Sequence, residues 1–445
     1  MSVDVSVRAE GSEGVRQSEA GTHVRRNFAL GVISGVAYNL NASLLSTQLV
    51  MTWFMTDLTD SNLLVSLLLP IEIGTWYLLQ PLVSRYVRRR ARALPLYRAV
   101  AAIRVGALAA LCAATFVLDE PARLLPVFLG LFTVSCVAAG IAALPFLTVV
   151  AKTIPFRKRG MYFGWRRFAG GLLAMVGAVV VKAVLSPDFA LGFPANYAVL
   201  FGGGCLVTLV MVGAFSMVDE PREREGIDDT CSAEPMLRRI ASALADRNYV
   251  RYLGLRVALA VASYSLPFYA VYARRELDAP GDAVGKYVMA STVAGVVSNL
   301  VLGWVGDRRG NRLVVRLAAL SAVLPPTAAL FIADLAGPAL EHSALFTFIF
   351  VFQGLHNTAH SIGSSNYLLE LGSSRQRVTY VSFAHGLVGV ALLGSPMGGA
   401  VVDWLGFDAL FAASLVSAVV AVLLSLGLGE PRNGEALRPT AATVS

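Results

Sequence analysis

The chain has 445 residues, of which 56% are hydrophobic and only 15% are charged, whereas an average soluble domain has about 25% charged residues. A soluble fold this apolar could not cover its surface with polar side chains, so the composition excludes an ordinary globular domain and favours lipid as the outer solvent. The net charge of +8 does not require nucleic acid as a partner, because basic loops of a membrane protein face the anionic leaflet.

The hydrophobic residues are grouped in long blocks rather than in alternating runs. Each block has about 20 residues or more, the length that a helix needs to cross a bilayer. An outer-membrane barrel would instead have segments of about ten residues with alternating character. Twelve blocks are predicted to be transmembrane helices, numbered here as spans 1 to 12: 27–52, 62–85, 96–118, 123–150, 160–183, 196–218, 248–272, 284–305, 312–333, 343–369, 378–402 and 407–428.

A polar segment separates the first six spans from the last six. The hydrophobic block that follows the polar start of the chain is too long for a signal peptide, so span 1 is expected to remain as a helix. The predicted organisation is a polar tail (1–26), an N-terminal six-helix bundle (27–218), a linker (219–247), a C-terminal six-helix bundle (248–428) and a second tail (429–445).

Basic residues are distributed unevenly between the two sides that these spans define. The tails and the loops on their side hold 28 of the 37 Lys and Arg residues, and the opposite loops hold five. Because Lys and Arg concentrate in cytoplasmic loops, both termini are expected to be cytoplasmic and the protein to lie in the inner membrane.

The two halves repeat a short motif where their fifth span begins. Residues 157–162 and 375–380 both read R-x-R-x-x-Y, and they are 218 residues apart. The same offset pairs Arg98 with Arg316 near the start of the third span of each half. Two matches at one offset indicate a parallel duplication, which predicts two bundles related by a pseudo-two-fold axis.

Glu72 is the most distinctive polar residue within the predicted spans. A charge at bilayer depth costs several kcal/mol, so it needs either a partner or a role. Trp76 follows at i+4 and shares its helix face. Glu72 is interpreted as a protonatable group for coupling or substrate binding, and the alternative is a structural hydrogen bond or ion pair between helices.

Three other spans carry polar side chains at helical spacing. A stripe of amides and hydroxyls follows one face of span 1, tyrosines flank Pro267 in span 7, and span 10 has two adjacent polar faces. The alternative interpretation for the hydroxyls is helix packing. The candidate cavity residues are Asn39, Ser43 and Thr47 of span 1, Tyr264 and Tyr269 of span 7, and His356, Asn357 and His360 of span 10.

The two histidines of span 10 lie four residues apart, a spacing that can bind a metal. His356 and His360 have no Cys or Asp partner on that span, so no metal site and no cofactor are predicted. A proton relay or hydrogen bonds to a solute are favoured, because histidine titrates near neutral pH.

Four arginines lie within the spans. Arg104 of span 3 is interpreted as a peripheral structural residue that pairs or extends its charge toward the headgroups. Arg166 and Arg167 of span 5 and Arg256 of span 7 are closer to the cytoplasmic side. With Glu370 at the inner end of span 10, they are candidates for a cytoplasmic gate.

The loop between spans 8 and 9 reads GWVGDRRGNR over residues 303–312. It resembles the signature loop of the major facilitator superfamily, G-x-x-x-D-R-x-G-R-R, with Asn311 in place of a basic residue. Glycine at 303 would let two helices approach closely, and glycine at 310 permits a tight turn. The resemblance implies a latch that shifts during transport, formed by Gly303, Asp307, Arg308, Gly310 and Arg312.

The resemblance implies an all-α membrane protein with twelve transmembrane helices in two six-helix bundles. In that superfamily the first and fourth helices of each half line a central cavity. The implied function is secondary active transport of a small solute by alternating access, coupled to protons as symport or antiport, and not an enzymatic one. Span 5 lacks the proline of the drug–proton antiporter pattern, and no subfamily is assigned.

Three alternatives remain open at this point. The protein could exchange or facilitate a substrate without ion coupling, act as a lipid transporter, scramblase or intramembrane enzyme, or serve as a sensor that transports nothing. The sequence contains no G-x-x-x-x-G-K-[ST] loop for nucleotide. The expected partners are a small-molecule substrate, protons and the bilayer, and the protein is expected to be monomeric.

Overall fold

The computed structural model describes residues 4–88, 90–222, 236–335, 342–371 and 377–430, and this part of the chain is helical without a β-strand. Six spans form the N-terminal half. Their helices are Asp4–Leu44, Thr47–Met51 and Thr52–Leu58 in span 1, Asn62–Ser66, Pro70–Gly74 and Thr75–Arg88 in span 2, Leu94–Val117 in span 3, Pro121–Thr153 in span 4, Phe156–Val184 in span 5 and Ala195–Ser216 in span 6.

Six further spans form the C-terminal half. A short helix, Met236–Leu244, precedes them within the predicted linker. Their helices are Arg247–Ala262, Ser263–Ser265 and Leu266–Arg275 in span 7, Ala283–Arg309 in span 8, Asn311–Leu335 in span 9, His342–Glu370 in span 10, Arg377–Leu392 and Pro396–Leu405 in span 11 and Phe407–Leu426 in span 12.

Eleven of these spans are long and apolar enough to cross a membrane, considering the described residues. The exception is span 10, whose second half carries amide and imidazole side chains. The prediction of an all-α membrane protein is therefore confirmed. The largest difference from the predicted span ends is in span 1, whose first helix begins at Asp4 and whose last helix continues to Leu58.

The buried core differs between the two ends of the bundle. We call the end where span 1 begins and span 12 ends the terminal face, and the opposite end the distal face. Near the distal face one hydrophobic core contains residues of both halves, including Phe54 and Phe128 together with Phe346 and Phe411. Toward the terminal face the core divides into one cluster in the N-terminal half and two in the C-terminal half. The halves are therefore packed together distally and separate toward the terminal face.

The arginines that the repeat offset pairs occupy equivalent places in the two halves. Arg98 of span 3 donates to the carbonyl of Ser216 at the end of span 6. Arg316 of span 9 donates to the carbonyl of Leu426 at the end of span 12, at 2.8 Å. Each arginine therefore satisfies a carbonyl that a helix end leaves without an intrahelical donor.

The repeated tyrosines are also equivalent in position. Tyr162 of span 5 packs on span 1, where a side chain at Gly31 would overlap its ring. Tyr380 of span 11 packs on span 7, where its ring stacks on Tyr249 with the ring centroids 4.1 Å apart. The same helix pairs are joined in both halves, which is the arrangement that a duplicated six-helix unit requires.

Spans 1 and 2 both contain a π-helical stretch, Thr47–Met51 and Pro70–Gly74. Such stretches are frequent at functional sites. In span 2 the cause is Pro70, which has no N–H to donate to the carbonyl of Ser66. The hydroxyl of Ser395, in the other half, donates to that carbonyl at 3.2 Å. The proline therefore ties span 2 to span 11.

A buried carboxylate fixes the start of span 3 at the terminal face. The Glu220 carboxylate accepts hydrogen bonds from the backbone N–H groups of Ala93 and Leu94 at 2.8 Å each. It also pairs with Lys152 of span 4 at 3.5 Å, with the two side chains only 1% and 9% exposed. Spans 3, 4 and 6 are thereby joined through one acidic side chain.

We expect Glu220→Gln to lower the free energy of unfolding by about 3 kcal/mol, because it removes the anion of a buried ion pair. Thermal unfolding in a neutral detergent measures the change. The matched control is Glu120→Gln, whose pairing with Arg123 is exposed and contributes about 0–1 kcal/mol. Equal unfolding midpoints for the two variants would contradict the role of Glu220.

Candidate functional site

Three cavities meet in the N-terminal half and at its boundary with the C-terminal half. The first, of about 400 Å³, lies among spans 1 to 4. The second, of about 530 Å³, lies between the halves against spans 1, 5, 8 and 10. The third, of about 430 Å³, extends toward the terminal face beside spans 3 to 6. Tyr38 lines all three cavities, so they form one cavity system.

Glu72 lies in the first cavity, on the π-helical stretch of span 2. The hydroxyl of Thr47, which begins the π-helical stretch of span 1, donates a hydrogen bond to the Glu72 carboxylate. Trp76 lines the same cavity one turn further along span 2. The structure thus brings three of the candidate residues together.

Arg104 faces this group, although the sequence suggests a peripheral position for it. Its side chain lines the first and third cavities and acts electrostatically on Glu72. Among the described residues, neither side chain forms a direct ion pair, and the Nε of Arg104 is buried without a hydrogen-bond partner. The sequence does hold one indication that Arg104 faces a cavity, because a charge in the middle of a span is costly unless it has a partner or a role.

The second cavity is lined mainly by uncharged polar groups. Asn39 and Ser43 of span 1 line it from the N-terminal half and Asn357 of span 10 from the C-terminal half. The amide of Asn39 donates to the carbonyl of Gly35 at 2.8 Å, and the Ser43 hydroxyl donates to that of Ala174 at 2.7 Å. These bonds hold the two side chains of span 1 in place.

A pair of amides connects the halves beside the first two cavities. Gln353 of span 10 donates from Nε2 to the Oε1 of Gln48 in span 1 at 2.5 Å. Gln48 lines both cavities. The contact between Gln48 and Gln353 therefore lies between these cavities and the hydrophobic core that the halves share near the distal face.

His356 of span 10 faces span 9, and neither histidine of span 10 lines the three cavities. The Nδ1 of His356 lies 3.0 Å from the carbonyl of Ala318 and 3.4 Å from the hydroxyl of Ser321. His360 follows on the same face, with the ring centroids 5.7 Å apart. Asn357 reaches the cavity because the next residue of a helix points about 100° away. Within the described residues, no three His, Cys, Asp or Glu side chains gather as a metal site.

The candidate tyrosines of span 7 also lie away from the three cavities. The Tyr264 hydroxyl donates to the carbonyl of Ala391 in span 11. Tyr269 is buried, and its ring stacks on Phe411 of span 12 with the centroids 5.2 Å apart. Both side chains pack the C-terminal half, because the distal part of span 7 turns its aromatic face toward spans 11 and 12.

Two of the four candidate gate residues bond within their own halves. Arg166 donates to the carbonyl of Gly31 and, at 3.1 Å, to the hydroxyl of Tyr162, which ties span 5 to span 1. Glu370 accepts a hydrogen bond from Asn311 of span 9 at 2.8 Å. In this conformation neither residue joins the two halves through these bonds.

The other two gate candidates do connect the halves. Arg167 donates to the Oδ1 of Asn299 in span 8 at 3.3 Å. Arg256 is only 3% exposed and donates to the hydroxyl of Tyr77 in span 2 at 3.0 Å. His385 of span 11 packs edge to face against the same tyrosine, with the centroids 5.0 Å apart. These contacts lie along the two seams where the halves meet.

The signature loop forms a tight turn that closes on the end of span 12. Gly310 has φ +87°, a conformation that favours glycine. Glu430 lies beside it and pairs with Arg312 at 3.5 Å. Asn311, the residue that departs from the family pattern, donates to Glu370 at 2.8 Å. The neutral residue therefore still links spans 9 and 10.

Other signature residues have looser surroundings. A side chain at Gly303 would meet nothing within 4 Å, so the expected close approach of two helices there is absent. Arg308 lies over the ring of Trp304, 4.7 Å from its centroid. Asp307 lies in the last turn of span 8.

A hydrogen-bond network closes the distal face. Arg275 at the end of span 7 donates to the carbonyls of Thr59 and Asp60, at 3.0 and 3.2 Å, and to the Oδ1 of Asn62 at 3.0 Å. Asn62 donates in turn to Asp403 of span 11 at 2.8 Å. We call these five residues the distal lock. In the sequence Arg275 is one of the basic residues of the loop after span 7, and nothing there distinguishes it from its neighbour Arg274.

Two contacts beside the distal lock strengthen this closure. Arg274 pairs with Asp57 of span 1 at 3.4 Å. Gly399 of span 11 lies directly against the backbone of Asn62, where any side chain would overlap it. The cavity system is therefore closed distally and extends toward the terminal face.

Two bundles around a polar cavity, joined distally, define a membrane transporter of the alternating-access type. Residues 252–444 match the family model of the Major Facilitator Superfamily. This match covers most of the C-terminal half, which contains the signature loop that predicts it. No curated protein matches the sequence.

Solved transporter structures share the fold over most of the chain. A variant of the nucleoside transporter NupG has a TM-score of 0.66 at 14% identity, covering 91% of this chain and 98% of its own. A D-xylose-proton symporter has a TM-score of 0.64 at 16% identity, covering 92% and 99%. The xylose transporter XylE from E. coli, in a partially occluded inward open conformation, has a TM-score of 0.61 at 13% identity, covering 91% and 97%.

We expect Arg275→Ala to shift the protein at least about tenfold toward a distally open state, since several charge-assisted hydrogen bonds are lost. Spin labels at Asp119 and Glu276, exposed on the distal face of opposite halves, would report the change by pulsed electron paramagnetic resonance. The native cysteines are first replaced. The control Arg123→Ala removes only an exposed pair, and a distance distribution no different from this control would contradict the distal lock.

Proposed function

We propose that the protein is a secondary active transporter that moves a small solute across the cytoplasmic membrane by alternating access, with Glu72 as the proton-carrying group. The terminal face is the cytoplasmic side, since it holds the basic loops. The described conformation then faces inward, with the distal lock on the outer side. The protein acts as a monomer and performs no enzymatic reaction.

One observation carries the proposal: the Glu72 carboxylate lines a cavity deep in the membrane and has no direct cationic partner among the described residues. Glu72 faces Thr47 and Tyr38 of span 1, Arg104 of span 3 and Cys136 of span 4 in the first cavity. Of these, only Arg104 is a permanent charge. A carboxylate held near a cation but not bound to it can gain and lose a proton as the cation is engaged elsewhere.

The arrangement of the cavities supports a shared path for solute and proton. The neutral amides of the second cavity lie between the halves, where a solute would be exposed to each side in turn. Tyr38 separates this cavity from Glu72 and lines both. A solute bound between the halves would therefore act on the charged cavity through span 1.

The proposed coupling predicts a specific loss in Glu72→Gln. In proteoliposomes with an alkaline interior, the wild type is expected to accumulate a radiolabelled probe, and the variant to equilibrate it without accumulation. Counterflow, which needs no proton movement, is expected to continue in the variant. Uridine, D-xylose and p-aminohippurate serve as probes, the first two because fold neighbours carry a nucleoside and D-xylose.

The matched control is Glu120→Gln, a carboxylate in an exposed distal pair. It should accumulate the probe as the wild type does. Unchanged accumulation by Glu72→Gln would remove Glu72 as the coupling group. Accumulation that does not depend on the pH gradient in the wild type would favour an exchanger or facilitator without ion coupling.

A further inference from the structure

The charges that line the cavity system are mainly positive. Only Glu72 is acidic, whereas Arg104, Arg166 and Arg167 are basic, among the residues that line the three cavities. A cleft with one sign of charge and low-dielectric walls concentrates solutes of the opposite sign. The cavities therefore attract an anion more strongly than a neutral solute or a cation.

The three arginines differ in how many hydrogen bonds their guanidinium groups donate within the protein. Arg166 bonds to Gly31 and Tyr162 and lies over the ring of Phe146, 4.8 Å from its centroid. Arg167 bonds to Asn299 across the interface. Arg104 has a buried Nε without a hydrogen-bond partner among the described residues. A guanidinium offers five donors, and a buried donor without an acceptor is costly.

The walls beside Arg104 favour a compound with an apolar body. The third cavity is lined by small and apolar side chains of span 4 and by aromatic rings. Tyr38 is 52% exposed and Trp76 is 36% exposed, although both lie on cavity walls. An aromatic or short alkyl group could cover these rings while an acidic group reaches the guanidinium.

We propose that the transported solute is an amphipathic organic carboxylate whose acidic group binds Arg104 in competition with Glu72. This inference rests on the proposed function and deepens it by naming the class of substrate. Protonation of Glu72 removes the competing anion, so the proton and the carboxylate bind cooperatively. When a proton neutralises Glu72, the carboxylate of the solute takes its place as the negative charge beside Arg104. The two ligands are therefore carried in the same direction.

Binding to the full-length protein in a neutral maltoside detergent tests this directly by calorimetry. The probes are benzoate, cinnamate and hexanoate, each compared with its primary amide, which has nearly the same shape without the charge. The wild type is expected to bind at least one acid about tenfold or more tightly than its amide. Glu72→Gln is expected to bind that acid more tightly than the wild type, because the competing carboxylate is gone.

Arg104→Gln is expected to lower the affinity for the acid to that for the amide, while Arg104→Lys keeps a weaker preference because it keeps the charge. Arg123→Gln, which alters an exposed distal arginine, should bind as the wild type does. Size-exclusion chromatography confirms that each variant is folded. The proposal fails if no acid binds, if amides bind as well as acids, or if Glu72→Gln weakens acid binding. Because no transport is measured, a failure of proton coupling would leave this result unaffected.

Discussion

The cost of a charge inside the membrane is the constraint on which the other features depend. Each charged group in or beside the spans must be matched by acceptors or by an opposite charge. Arg166 meets this with a carbonyl and a hydroxyl of its own half. Arg256 meets it in part with a tyrosine of the other half, while its Nε is buried without a partner among the described residues. Glu220 meets it with two backbone N–H groups and Lys152. Among the described residues, Glu72 has a hydrogen bond from Thr47 but no ion pair, and Arg104 has a buried Nε without a partner. In the proposed mechanism their charges are available to ligands.

The interface between the halves is equally uneven along the membrane normal. Near the distal face the two halves share one core and the distal lock, whereas toward the terminal face each half has its own core. Opening the distal side requires a few polar contacts and one shared apolar layer to separate. The individual cores can remain intact, because packed interiors move as rigid bodies more readily than they deform.

The sequence predicts the fold well and the site only in part. The hydrophobic blocks identify the spans, because span length and composition are local properties of the sequence. The tyrosines at 162 and 380, which recur at one offset, identify the helix pairs that are equivalent in the two halves. Glu72 and Thr47 are found because polar groups in a span are rare. Helix rotation is not readable from one span, which is why His356 and Asn357 are both cavity candidates in the sequence although only Asn357 lines a cavity. Arg104 is not predicted to line the cavities, because its long side chain reaches them from a span that also faces lipid.

The repeat makes the placement of the charged pair informative. The offset of 218 residues that pairs Arg98 with Arg316 assigns Ala322 to the place of Arg104 and Ala290 to that of Glu72. The C-terminal half therefore lacks the charged pair at the equivalent positions and presents amides and hydroxyls to the shared cavity. A duplicated unit in which one copy keeps a charge pair and the other is neutral divides the work between its halves. In the proposed mechanism the N-terminal half holds the groups that respond to protons and anions, and the C-terminal half forms the neutral wall of the site.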